Sequence, residues 1–425
     1  MTLAQAVSAS SNGSTITLLK DCTDTSGVSI NKTLTFNKNG HTLTRTSAIS
    51  LATNTTATLT VTGTGTITSS SNAFINNGTG SVIINGGEIK GTGTVSTINN
   101  ASTGKVEVKL GTVSASNATT IHNETSGTIT VSGGTVTSTG TNVAHRGIYN
   151  KAGGTVALTS GSVKTNKGKT IYNASTGKIN ITGGTITSNE EAIYMVKGTL
   201  TITTVTINSH GSCMYLNSGT SATVNNGSFT STAYNAVHEN GGDIKINGGT
   251  FAGNGTGVYV ENSGGAMIKN STIIGNANNP AIQVAHNANI ECINSTLRTA
   301  GATAIINHTD QGGHCIIRSR AANFGVTGGM RGYVIATTNT GTGQSSETVR
   351  IYNAATTGVM FAVWTTKNGQ DDLIWSSTTK TSNYNQFIVY KSAHNNETGE
   401  YAVHMYDSAD GSNARTPIGG TGIYF

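Results

Sequence analysis

The sequence predicts an all-β solenoid, and two apolar columns with a polar, glycine-rich background predict it. One column reads Ile49, Ile75, Ile98, Ile121, Ile148, Ile171, Ile193, Met214, Val237, Val258, Ile282 and Ile305, returning every 21 to 27 residues. An offset column reads Ile67, Ile89, Val113, Val136, Val163, Ile186, Ile207, Phe229, Phe251, Ile273 and Leu297. A period of this size means stacked coils, each burying its apolar face against the next. The background is 55 Gly, 2 Pro and only 10% charged residues in 425. Such a composition alone fits a disordered polar tract, but disorder would not hold two columns in register. Apolar content of 35% suits a narrow core needing few inward side chains per coil.

The elements follow in order. Residues 2 to 12 read as a short amphipathic helix with Leu3, Ala6 and Val7 on one side. Strands are expected at Ile16 to Leu19, Val28 to Ile30 and Leu34 to Phe36. A cap is needed physically, because the first coil would otherwise expose its core and its unpaired strand edges. From about Thr42 to about Val326 the coils repeat, and Ile171-Tyr172-Asn173 followed by Ile179-Asn180-Ile181 is typical. Apolar residues alternate within each segment, as strands with one buried face require, and Gly-Gly or Asn-Gly marks the corners. Some twelve coils at about 4.8 Å each give a rod of roughly 55–60 Å. Leucine-rich repeats are excluded by the missing Leu signature, and collagen by the lack of Gly at every third residue. The expected divisions are 1–40 for the cap and first strands, 41–336 for the coils, 337–346 for a linker and 347–425 for a second domain. Periodicity weakens after Phe324, the linker is Thr-, Gly- and Ser-rich, and Trp364 and Trp375 both lie beyond it. Alternation in Phe387-Ile388-Val389-Tyr390 and in Tyr401 to Tyr406 points to a small β-sandwich.

Two resemblances sharpen this reading. The opening Thr2 to Val7, Ser14 to Asp21 and Asn39 to Thr44 resembles the start of pectate-lyase-like right-handed parallel β-helices of the adhesin and tailspike type. There a helix covers the open end of the solenoid. The stretches Val363 to Trp375 and His394 to Tyr406 resemble the Bsp-like repeat of group B streptococcal surface proteins, with Ser376 standing where a Tyr is usual. The fold class expected is therefore a right-handed parallel β-helix with a short capping helix and a small C-terminal β-sandwich. The resemblances imply a non-catalytic extracellular adhesive or receptor-binding protein, on a virion tail or a bacterial surface, contacting polysaccharide. Homotrimers are frequent among β-helical phage proteins, so a homotrimer is one expectation. Met1 to Ala6 lack a basic n-region and an apolar h-region, so no signal peptide is read there. No apolar run is long enough to span a membrane, and no nucleic-acid module is recognised.

Candidate site residues come from the columns. The residue after each first-column position reads His122, Tyr149, Tyr172, Tyr194, Tyr215, His238 and Tyr259. Strand alternation turns this column outward. Such aromatics either stack on sugar rings or shield the strand surface and stabilise the coils. No acidic residue lies between Thr125 and Asn189, where Arg146, Lys151, Lys164, Lys167, Lys169 and Lys178 sit. Lys151 and Lys178 follow ladder tyrosines and are candidates for anionic groups on a glycan. The next column, Asn77, Asn100, Asn123, Asn150 and Asn173, turns inward and reads as a hydrogen-bonded asparagine ladder. A polysaccharide depolymerase is the alternative, with Glu191, Glu239 and Glu261 as candidates and His238 beside them. Asp is nearly absent from the coils, so no metal site and no cofactor is expected. Cys22, Cys213, Cys292 and Cys315 read as small buried apolar residues, with Cys292 and Cys315 one coil apart.

Overall fold

The computed structural model describes residues 1–299, 305–307, 314–321, 326–327, 334–337, 344–352, 359–380, 384–407 and 416–425. Residues 338–343 of the expected linker, together with Phe324 and Asp310, lie outside the described residues. The chain falls into two compact units, Met1–Tyr234 and Asn235–Phe425, each taken by itself below.

The first unit opens on the helix Leu3–Ala9. Thr2 caps it: its Oγ1 accepts from Gln5 N at 3.2 Å, and Gln5 Oε1 accepts from Thr2 N at 2.8 Å. A carboxylate fastens the helix to the coils. Asp24 Oδ2 accepts from Leu3 N at 2.7 Å, and its Oδ1 accepts from Ser26 N at 2.9 Å. Arg45 is buried beneath this contact with its Nη1 3.8 Å from Asp24 Oδ2. Val7 of the helix is buried, closing the core beside Ile30, Leu34 and Phe36.

Behind the cap, short strands stack in parallel, like on like. Ile121–Asn123 pairs with Ile148–Asn150, which pairs with Ile171–Asn173, residue against residue. Longer strands form the rest of each coil, as in Lys105–Ala115, Thr128–Ser138 and Thr155–Thr165. These bend midway, where the register shifts beside Gly133 and Gly134. The offset column is buried throughout, and Ile67, Ile89, Val113, Val136 and Val163 pair in sequence along it.

The first column requires one correction. Phe74, rather than Ile75, pairs with Ile49 on one side and Ile98 on the other. The inward amide of that coil is accordingly Asn76 and not Asn77. A one-residue slip exchanges the two faces of a strand, and Asn76 is fully buried while Asn77 is half-exposed.

The asparagine ladder then runs Asn76, Asn100, Asn123, Asn150, Asn173. Each Nδ2 donates to the next Oδ1, at 3.0, 2.8, 2.8 and 2.6 Å. The same Nδ2 also donates to a carbonyl four residues on: Gly80, Gly104, Gly127 and Gly154 for the first four rungs. The amide of one coil also fills the space beside the corner glycine of the next coil. A Cβ at Gly127 would lie 2.1 Å from Asn100 Nδ2, and one at Gly154 would lie 2.1 Å from Asn123 Nδ2. Beyond Asn173 the ladder gives way to Met195 and Leu216, both buried. Hydroxyls line another corner: Ser138, Thr165, Ser188 and Ser209 are buried, and Thr165 Oγ1 donates to Gly168 O at 3.1 Å.

In the second unit, Val237–Asn240, Val258–Glu261 and Ile282–Val284 continue the same pattern among themselves. Its last part is antiparallel. The strands Ile374–Ser377, Val359–Thr365, Glu400–Asp407 and Thr416–Tyr424 form one sheet. Ser346–Tyr352 pairs with Tyr384–Tyr390 in another. Phe361 stacks on Phe387 across the two at 5.3 Å, within a core that includes Val349, Val363, Val389, Val403 and Met405. This is the expected β-sandwich. None of the four cysteines is in a disulfide; Cys213, Cys292 and Cys315 are buried and Cys22 is half-buried. Cys315 pairs with Ile290 and Cys292 with Ile317, so the two thiols are offset by two residues rather than stacked in one column.

Replacing Asn123 with Ala leaves Asn150 Oδ1 and one Asn100 N–H buried without partners, and the Gly127 carbonyl keeps only its bond from Thr155 N. At about 1–3 kcal/mol for a buried unsatisfied group, urea unfolding followed by circular dichroism should show a loss of about 2–4 kcal/mol. Gly154→Ala, which drives a methyl into the same amide, should cost at least as much.

Candidate functional site

The outward column of the first unit is a run of adjacent rings, stacked at three of its four steps. His122, Tyr149, Tyr172, Tyr194 and Tyr215 pair in register and are all half-buried. Centroids are 4.7 Å apart for His122–Tyr149, 5.4 Å for Tyr172–Tyr194 and 4.9 Å for Tyr194–Tyr215, with interplanar angles of 4°, 18° and 10°. Only Tyr149–Tyr172 departs, at 5.3 Å and 62°. Strand spacing of about 4.8 Å is nearly the thickness of a stacked ring pair, so a column of tyrosines on consecutive coils must stack. The ring faces therefore cover one another, and the ladder turns edges toward solvent.

Arg146 occupies the tilted step. Its guanidinium carbon lies 4.6 Å from the Tyr149 centroid and 4.3 Å from that of Tyr172. Lys169 Nζ sits 5.2 Å from the Tyr194 centroid. Contacts of this type favour a cation over the negative ring face. Neither residue stood out in the sequence as part of the aromatic column.

Three of the six cations in the acid-free span pair with carboxylates from outside it. Lys151 reaches Glu124 at 3.1 Å, Lys167 reaches Glu190 at 2.9 Å, and Lys169 reaches Glu191 at 3.2 Å. Each carboxylate lies one coil away and beyond the span's ends in sequence. Lys151 is thus committed to an ion pair. Lys178 is exposed but belongs to the strand Lys178–Ile181, which pairs with Thr155–Thr165 rather than with the tyrosine strands. Arg146 has no carboxylate partner among the described residues, and its Nη1 donates to Ala144 O at 2.8 Å.

In the second unit the carboxylates part company. Glu239 is fully buried, since it follows Val237 by two residues and shares its inward face. Gly242 N donates to its Oε1. A Cβ at Gly264 would lie 1.5 Å from its Oε2. Burial pushes the Glu239 carboxyl up to about 8; the charges of Asp243 and Glu261 add to this, and N–H donors from Gly242 and Gly241 oppose it. Glu261 lies on the outward face beside Tyr259. It accepts from His238 Nε2 at 2.9 Å, Tyr259 Oη at 2.7 Å and His286 Nδ1 at 3.2 Å. Burial works against its charge, but these donors hold its carboxyl below the usual range.

Glu239 pairs in register with Val260, and Glu261 with Asn240. The two carboxyls thus project from opposite faces of one sheet. A glycosidase needs both on the same bond, about 5–10 Å apart in one groove. Glu191, in the first unit, is held by Lys169. Tyr259 belongs to the second unit, where it lies 4.9 Å from the His238 ring.

Glu239 makes a testable contribution to stability. Its folded value lies above its ordinary 4.5. The stabilisation is therefore complete below the unfolded value and is lost as pH rises through about 8. Stability of the second unit should fall from about pH 5 to about pH 8, by at most about 1.4 kcal/mol per pH unit. Glu239→Gln, neutral throughout, should remove this slope in urea titrations run at several pH values.

Two family models match the chain. One, described as a right handed beta helix region, covers residues 191–320. The other, described as the GBS Bsp-like repeat, covers residues 336–422. No curated protein and no solved structure matches it. The chain is a right-handed parallel β-helix carrying a GBS Bsp-like repeat toward its C-terminal end.

Proposed function

We propose that this protein is a non-catalytic adhesive or receptor-binding protein that works outside the cell that makes it, holding surface polysaccharide along the ring ladder of the first unit. The ladder is the observation that carries this reading. Five rings stand edge-out on consecutive coils at steps of 4.7 to 5.4 Å. Phenol edges with hydroxyls offer an apolar rim and a hydrogen-bonding tip together, a combination suited to sugars. Pairing between coils sets the ring positions before any ligand arrives, so little ordering cost remains at binding. The two family likenesses, a β-helix and a repeat of surface proteins, agree with a carbohydrate-contacting surface role.

The depolymerase alternative loses its best pair, because Glu239 and Glu261 face opposite ways. Incubation with capsular and wall polysaccharides remains the direct check. Cleavage that is lost in Glu239→Gln or Glu261→Gln would restore the enzymatic reading.

The triple change Tyr149, Tyr172 and Tyr194 to Ser should weaken binding to host cells or isolated glycan at least tenfold. Three lost rings also remove stacking worth about 0.5–1.5 kcal/mol per pair, so thermal unfolding should be recorded beside binding. Unchanged binding with a lowered melting temperature would make the ladder purely structural. A change in sedimentation alone would assign the face to a neighbouring copy of the chain.

A further inference from the structure

Apart from the tilted Tyr149–Tyr172 step, each ring face within the ladder is covered by the next ring, and the column of rings ends at His122. In register beyond it lies Asn99, then Ile75. The column there changes from ring to amide, so the side of His122 toward Asn99 has no ring partner. A groove opens beside this step, lined by Asn72, Ser96, Asn99, Thr119, His122 and Arg146. Two buried polar atoms of its lining, Asn99 Oδ1 and Arg146 Nε, have no hydrogen-bond partner among the described residues, and His122 Nε2 has only Glu124 Oε1, at 3.9 Å. Unpaired buried polar atoms are costly, and a cluster of them in one groove calls for an explanation.

The groove is also electrically selective. Arg146 is its cation, clamped over two rings and without a carboxylate. The neighbouring Lys151 is neutralised by Glu124. His122 is held toward its neutral form, first by burial and then by Lys151 and Arg146, against the pull of Glu124. A neutral imidazole is a flat, weakly polar surface, and a fixed guanidinium is a planar fork suited to carboxylates.

We propose that this groove is a subsite for one carboxylate-bearing sugar ring, a hexuronate unit of the bound glycan. The proposal rests on the glycan reading above and adds to it a place and a charge. The sugar ring extends the stack against His122. Its hydroxyls, donors and acceptors both, meet the polar groove wall of Asn72, Ser96, Asn99 and Thr119. Its carboxylate meets Arg146, which makes Arg146 the residue that sets specificity for acidic over neutral glycans.

The test is calorimetric binding of a hexuronate oligomer, a neutral hexose oligomer of equal length and a glycerol-phosphate oligomer. Wild-type protein should prefer the hexuronate over the neutral oligomer at least tenfold. Arg146→Gln should erase that preference while still binding the neutral oligomer. Asn99→Asp, which keeps the shape and adds a negative charge, should weaken the hexuronate at least tenfold more than the neutral oligomer. Equal preference in wild type, or a preference that survives Arg146→Gln in a variant with unchanged circular dichroism, overturns the subsite. If the Tyr149, Tyr172 and Tyr194 variant still loses neutral-oligomer binding, the glycan reading stands without it. Tightest binding to glycerol phosphate overturns the carboxylate assignment. Binding to none of the three, nor to host-cell polysaccharide, overturns both.

Discussion

Residue-for-residue register between successive coils is the constraint on which the rest of the structure depends. Parallel pairing places position upon position, so any property written once per coil becomes a column. Apolar residues become a core, with Ile121, Ile148 and Ile171 fully buried. Amides become a hydrogen-bonded chain, because Asn100, Asn123 and Asn150 stand directly over one another. Tyrosines become a stack. Charges one coil apart become ion pairs, as with Lys151 and Glu124. No helical or globular core would bring such sequence-distant residues together so regularly.

Much of this was legible in the sequence, because a column needs only its period to be seen. The offset column is legible at every position, and so is the register of the tyrosines from Tyr149 to Tyr215. The slip at Ile75 has a physical origin. Ile75-Asn76-Asn77 imitates Ile98-Asn99-Asn100, and apolar pattern alone does not separate it from Phe74-Ile75-Asn76. The corner glycine does separate them. Asn76 is followed by Gly80 at the spacing found between Asn100 and Gly104, and that glycine is needed because the backbone of the preceding coil, Ala57 O, fills its Cβ position. Glu239 was also within reach, since alternation from Val237 turns it inward. A carboxylate there contradicts the usual exclusion of charge from a core, and the structure resolves this by keeping it protonated.

The candidate site was less legible. Its tyrosines were found, but the direction of their faces depends on ring packing, which has no signature in residue spacing. The basic span looked strongly charged when read along the chain. Read across coils half of its cations are paired, and Arg146 emerges as a cation at the ring ladder with no carboxylate partner among the described residues. Linear charge runs therefore mislead in solenoids, where the nearest neighbour of a side chain is about one coil away in sequence. The buried hydroxyls at Ser138, Thr165 and Ser188 were overlooked for a similar reason: Ser and Thr are so abundant that an inward column of them does not stand out.

The amide ladder carries a consequence for how such a chain can change in evolution. Each rung joins an Asn of one coil to the Asn of the next, and each Asn reaches a glycine corner of its own coil. A duplicated or deleted coil therefore brings its own rung and its own corner and leaves neighbouring rungs intact. It would also insert or remove one tyrosine without altering the spacing of the others. Gene-level slippage at this repeat would thus alter how long a polymer the face can span, while leaving the chemistry of each step untouched. Reach could then drift quickly between lineages and taste slowly.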